Sequence, residues 1–242
     1  MRPFLLLGTR EVDRAADNEY EAMLRFSGLG EEHLLRVRME QGPLGPIRLE
    51  DFSGVILGGG PFNSSDDEKS EVQVRVEAEI SALLDQIVTR DFPFLGACYG
   101  IGTLGTHQGA VVDRTYAEPV GPTPVTLTEE GRADRLFEIL PDRFEAFLGH
   151  KEAITKLPAH AVNLASSEAC PVQAFRVGSN VYATQFHPEL DVPGIELRID
   201  VYKHAGYFEP HAAEALKAQA RAGNVVHPPS LLRRFVQLFA RE

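Results

Sequence analysis

Phe94-Leu95-Gly96-Ala97-Cys98-Tyr99-Gly100 reads as a short apolar strand that turns sharply into a helix, with a cysteine at the turn. The flanking glycines leave room for a strained elbow and for a ligand close to the backbone. At the mouth of the helix, unpaired backbone N–H groups and the helix dipole favour the thiolate, which is the attacking form of cysteine.

Outward from this elbow, strand-like apolar runs alternate with longer helical patterns. Residues 4–7, 55–57 and 92–95 read as strands, and 15–26 as a helix stopped near Gly28. Residues 68–88 carry Val72, Val76, Ile80, Leu83, Leu84 and Ile87 at helical spacing, and the acidic run Ser65-Asp66-Asp67-Glu68 before them suits a helix N-terminus better than a metal site. This order predicts an α/β fold, a mostly parallel open sheet with helices on both faces. Ligands of such sheets bind beyond the carboxyl ends of the strands, where Cys98 and the turn Gly58-Gly59-Gly60-Pro61 fall. Residues 110–128 predict an insertion of β-hairpins with turns across 119–124, and 172–177 with 181–186 predict a hairpin through Gly178-Ser179-Asn180.

After Leu190, residues 209–222 read as a helix opened by Pro210 and closed by Gly223, and 230–241 as a helix with Leu231, Leu232, Phe235, Val236 and Phe239 on one stripe. The expected organisation is a catalytic domain over residues 1–190 and a C-terminal helical extension over 191–242 packed on it. A docking or lid use of the stripe is the alternative to plain packing.

The chain later reads Gln185-Phe186-His187-Pro188-Glu189. On an extended segment His187 and Glu189 share a face, so the carboxylate can hold one ring nitrogen while the other takes the proton from Cys98. Each motif alone has a plainer reading: a buried structural cysteine for Gly-x-Cys-x-Gly, a turn for His-Pro-Glu, a loop for the glycine run. Their joint occurrence, each after an apolar run, points to a Cys-His-Glu triad. Cys170 has neither an elbow nor a base beside it and reads as structural.

With these residues in view the chain resembles the class I glutamine amidotransferases, as a stand-alone member similar to the amidotransferase domain of GMP synthase. The resemblance covers about residues 1–190 and implies a flavodoxin-like sheet, the catalytic triad Cys98, His187 and Glu189, and hydrolysis of the glutamine side-chain amide through a γ-glutamyl thioester. It implies an oxyanion hole built from N–H groups of Gly59 or Gly60 and of Tyr99, and a substrate pocket bordered by Gly58, Gly102 and the segment Gly149-His150-Lys151-Glu152. Many family members carry glutamine four positions after the cysteine, where it contacts the substrate; here Gly102 stands there. That departure suits a γ-glutamyl peptidase or hydrolase using the same triad, the second reading. A non-catalytic regulatory subunit is a third, opposed by the complete triad.

No cofactor and no metal is implied. The substrate is glutamine or a γ-glutamyl compound, and the partner in the amidotransferase reading is a separate synthetase subunit that accepts ammonia, because no P-loop or pyrophosphatase-like Ser-Gly-Gly run occurs. At a net charge of −11 neither nucleic acid nor an anionic membrane is an expected partner. Met1–Gly8 holds too short an apolar run for a signal peptide, and no run approaches the ~18 apolar residues of a membrane span. Two cysteines, of which Cys98 must stay free, fit the cytoplasm.

Overall fold

The computed structural model describes residues 1–242. Its first half runs β1 (Phe4–Gly8), α1 (Asp13–Ser27), β2 (Leu34–Arg38), β3 (Gly54–Leu57), α2 (Glu71–Thr89), β4 (Phe94–Ala97), α3 (Tyr99–His107) and β5 (Val111–Asp113). The second half runs β6 (Glu118–Leu127), α4 (Glu129–Arg132), β7 (Arg143–His150), β8 (Ala153–Lys156), β9 (Ala161–Ser166), β10 (Ala174–Val177), β11 (Val181–Thr184), α5 (Val192–Val201), α6 (Ala213–Ala222) and α7 (Ser230–Phe239).

Strand β1 explains the layering. All five of its residues are buried, and they alternate between two cores because successive side chains point to opposite faces. Phe4 and Leu6 pack with Met23 of α1 and with Leu231, Leu232 and Phe235 of α7; Leu5 and Leu7 pack with Val76, Ile80, Leu84 and Ile87 of α2. Helices therefore cover both faces of one nine-stranded sheet, ordered β2-β1-β3-β4-β11-β10-β9-β6-β7. The pairs from β2 through β1, β3 and β4 to β11 are parallel, and the sheet continues through antiparallel strands. The loops after β1, β3, β4 and β11 thus open at one end of the parallel half, and there the site forms. The apolar stripe of α7 is buried against α1 and the sheet rather than left bare. No helix is long and apolar enough to cross a membrane.

Four expectations change. Residues 110–128 do not fold back as hairpins: β5 pairs with β8 in a separate two-stranded sheet, and β6 is one continuous ten-residue strand. The prolines mislead because turns favour them, but here they lie along an open edge. The Leu127 N–H bonds Asp142 towards β7 and the Thr128 N–H bonds Leu164 towards β9, so even-numbered positions face β9. β6 meets β9 only at Thr126 and Leu127, so the missing donors of Pro122 and Pro124 face no strand. A bulge between Glu118 and Gly121 accommodates Pro119. The helix expected from 68 begins at Glu71, because the Ser70 hydroxyl caps it by accepting the Gln73 N–H at 3.1 Å. Residues 209–222 open with a 3₁₀ turn at Pro210–Ala212 before α6, and α7 stops at Phe239. Helix α5 was not anticipated; Asp191 caps it and Pro193 lies in its first turn.

Candidate active site

Cys98 occupies the bend between β4 and α3 with φ 52° and ψ −93°, a left-handed conformation that costs a non-glycine residue of order 1–3 kcal/mol. Its N–H is tied to Thr184 of β11 at 2.8 Å, so the two neighbouring parallel strands hold the strained turn. The Gly59, Gly60 and Tyr99 N–H groups make no backbone hydrogen bond and remain available to an anion. The turn after β3 lies close to the triad: a Cβ on Gly59 would stand 2.6 Å from His187 Cε1 and 2.8 Å from an Arg10 guanidinium nitrogen. Only glycine lets backbone and imidazole approach this closely.

His187 does not lie on the strand, which ends at Thr184; it follows in a loop whose His187 N–H is bonded to Phe147 of β7 at 3.0 Å. Its Nδ1 meets Glu189 Oε1 at 2.7 Å, and the Glu189 carboxylate is wholly buried. Burial alone would lower the His187 pKa, but the charge of Glu189, followed by the charge and hydrogen bond of Cys98, raises it to about 10. Glu189 shows the converse: burial would raise it, while His187, then Arg10 and Arg198, bring it down to about 2. The arrangement favours an imidazolium held by the Glu189 carboxylate on one side and facing Cys98 on the other.

Two clefts meet at Cys98, sharing Gly60, Gly149 and Tyr207 on their borders. The more polar one is lined by Asn63, Tyr99, Glu152 and Gln185. Glu152 is fixed by the Ser64 and Ser65 N–H groups at 2.8 and 2.7 Å, and its Oε1 lies 2.7 Å from where a Gly102 Cβ would be. The carboxylate thus fills the space that a longer residue at 102 would need. His150 also borders this cleft, with its ring nitrogens 2.8 Å from the Glu152 carbonyl and 2.9 Å from the Glu118 carboxylate. Lys151 turns away, donating to the Ala205 carbonyl at 2.8 Å with its ammonium over the Tyr207 ring. Gly58 closes over Glu19, whose carboxylate a Cβ would meet at 2.7 Å. Glu118, His150 and Cys170 cluster tightly enough to hold a metal, but Glu118 is already engaged by His150, Ser167 and Gln173.

Sequence reasoning missed Arg10 and Arg198. Both line the second cleft with Cys98 and His187. Arg10 pairs with Glu19 at 2.9 Å and donates to the Tyr202 hydroxyl at 3.1 Å. Its place just after β1, at the carboxyl end of a parallel strand, was the available signal. Arg198 sits on α5 and had none.

Comparison with known proteins agrees with this geometry. The family model for glutamine amidotransferase class-I matches residues 34–193. A protein named GMP synthase (glutamine-hydrolyzing) from Petrotoga mobilis is 28% identical over 159 residues, 65% of this chain and 28% of that protein. Another GMP synthase (glutamine-hydrolyzing), from Streptomyces avermitilis, is 31% identical over 150 residues, 61% of this chain and 26% of that protein. In Thermoplasma volcanium the similar protein is named as one subunit of a GMP synthase (glutamine-hydrolyzing); it is 31% identical over 145 residues, 60% of this chain and 66% of that one. The chain therefore spans about a quarter of the length of the first two and just under two thirds of the third. A solved glutamine amidotransferase from Thermotoga maritima superposes over 100% of both chains with TM-score 0.76 at 23% identity, which speaks for the fold. Because residues 34–193 include the glycine turn, the Cys98 elbow and the His187–Glu189 pair, the chain belongs to the class I glutamine amidotransferases.

Proposed function

We propose that this chain hydrolyses the side-chain amide of glutamine to glutamate and ammonia through a γ-glutamyl thioester on Cys98. The observation that carries the reading is the strained Cys98 facing the buried His187–Glu189 pair, beside the unpaired N–H groups of Gly59, Gly60 and Tyr99. Cys98 thiolate attacks the γ-carbonyl, and the oxyanion is held by Tyr99 and the glycine turn. A preorganised donor of this kind contributes roughly a hundredfold or more in rate. His187 gives its proton to the leaving nitrogen, the C–N bond breaks, and a thioester remains. Water, deprotonated by His187, then attacks the thioester; the C–S bond breaks and glutamate leaves.

The substrate's glutamyl half lies in the cleft of Glu152, Asn63 and Gln185, where the fixed Glu152 carboxylate suits the α-ammonium. In an amidotransferase setting a separate synthetase subunit takes the ammonia, and a free reactive Cys98 fits a reducing cytoplasm. Glutamate release from L-glutamine by the purified chain, with Cys98→Ala as the blank, tests the reading. A second reading, a γ-glutamyl hydrolase with a larger leaving amine, is favoured by one observation, the size and lining of the cleft on the His187 side.

A further inference from the structure

The two clefts at Cys98 have separable roles. In amide cleavage the general acid protonates the leaving nitrogen, so the leaving group lies on the side of His187. His187 borders the cleft that holds Arg10 and Arg198, while Glu152 and Gln185 border the other. Ammonia is the leaving group from free glutamine and needs almost no space. The half-open His187-side cleft holds about 60 Å³ of cavity volume, room for several waters and far more than ammonia needs, and Leu190, Ile195, Tyr207 and Phe208 give it an apolar wall.

Arg198 stands out within that wall. It is only 6% exposed, and none of its three guanidinium nitrogens has a hydrogen-bond partner. Arg10 differs, being paired with Glu19 and Tyr202. Burial, then the charge of Arg10, brings the Arg198 guanidinium down to about 10 against the pull of Glu19 and Glu189, so its positive charge is short of compensation. A buried guanidinium is stabilised best by a carboxylate, whose two oxygens match its planar fork.

We propose that this cleft receives the leaving half of a γ-glutamyl amide whose amine carries a carboxylate and an apolar side chain, with Arg198 pairing with that carboxylate. The substrate class is then the γ-glutamyl amino acids. The inference rests on the amidohydrolase reading above and specifies its substrate. The chemistry is unchanged: the S–C bond to Cys98 forms, the C–N bond breaks with the His187 proton going to the departing amino acid, and water resolves the thioester.

The test compares kcat/KM for γ-glutamylphenylalanine, its C-terminal amide γ-glutamylphenylalaninamide, and glutamine, in wild type, Arg198→Gln and Arg198→Lys. Wild type is expected to prefer the acid over the amide by about ten- to a hundredfold, the scale of a buried charge-assisted hydrogen bond. Arg198→Gln should bring that ratio close to one, and Arg198→Lys should keep part of it. A role for Arg198 in merely balancing Glu189 would slow all three compounds alike and leave the ratio intact, which overturns the proposal. Equal turnover of acid and amide by wild type also overturns it. No turnover of any compound, glutamine included, overturns the amidohydrolase reading itself. Should both variants misfold, wild type decides: free phenylalanine must inhibit glutamine hydrolysis competitively and more strongly than phenylalaninamide, and equal inhibition refutes the pairing.

Discussion

Replacing Glu189 by glutamine perturbs the triad with little change of shape. Glu189 is fully buried with Oε1 2.7 Å from His187 Nδ1, so its charge acts on the ring with little screening. Burial opposes the imidazolium, yet the pKa rises from 6.5 to about 10 through Glu189 first and Cys98 second. That rise corresponds to roughly 4–5 kcal/mol in favour of the charged ring, at ~1.4 kcal/mol per tenfold change in proton affinity. In Glu189→Gln burial remains while the largest favourable charge is gone, and an amide N–H can face Nδ1 and hold the wrong tautomer. His187 should then titrate far lower, and kcat/KM for γ-glutamyl hydrolysis should fall by about 10³–10⁴, the scale known for the comparable change in serine triads. An NMR titration of the labelled imidazole together with a glutamate-release assay reads both quantities. The reasoning is refuted if His187 titrates near its wild-type value in the variant, or if hydrolysis stays within about tenfold of wild type.

Three further expectations follow from the same geometry. The raised His187 contributes stability that is fully present below pH 6.5 and is lost as pH rises to about 10; the depressed Glu189 contributes stability present above pH 4.5 and lost as pH falls to about 2. Because both describe one interaction counted once, melting temperature should plateau between those limits and decline on either side, and a continued rise above pH 6.5 contradicts the pairing. Burial raises the Cys170 thiol to about 11, with a backbone hydrogen bond at Val172 opposing and Glu118 adding, so iodoacetamide near neutral pH should label Cys98 alone by peptide mapping, and equal labelling of Cys170 counts against its burial. Gly102→Ala places a Cβ 2.7 Å from Glu152 Oε1 and 3.0 Å from Ser64 Oγ, against a carboxylate fixed by two backbone N–H groups. KM should rise and the fold lose about 1–3 kcal/mol by thermal melts, whereas an unchanged KM means that Glu152 does not shape the pocket.

The triad was legible because its chemistry forces local signatures. A cysteine on a strained elbow needs small neighbours, and Gly96 and Gly100 supplied them; the base and its carboxylate lie two residues apart and are visible as His187-Pro188-Glu189. The sheet was legible because buried parallel strands read as apolar runs such as Leu5-Leu6-Leu7 and Val55-Ile56-Leu57. Strand β6 was hidden because proline reports only a missing donor, and whether that donor was needed depends on which neighbour the strand has. Arg198 was hidden for a related reason. A lone arginine in a stretch with no strong pattern looks solvated, and only the packing of α5 against α1 and α6 shows it to be buried in the cleft that Cys98 also lines. Gly102 was legible as a departure, but its cause, the Glu152 carboxylate in the adjoining space, lies fifty residues away in the chain and is visible only in three dimensions.

Acid quenching of the purified chain during turnover of L-glutamine, followed by mass mapping of the Cys98 peptide and paired with glutamate release in Cys98→Ala, tests the central claim most directly. The account predicts one γ-glutamyl group on Cys98 and no release in the variant. Glutamate release that survives the loss of Cys98 would contradict it.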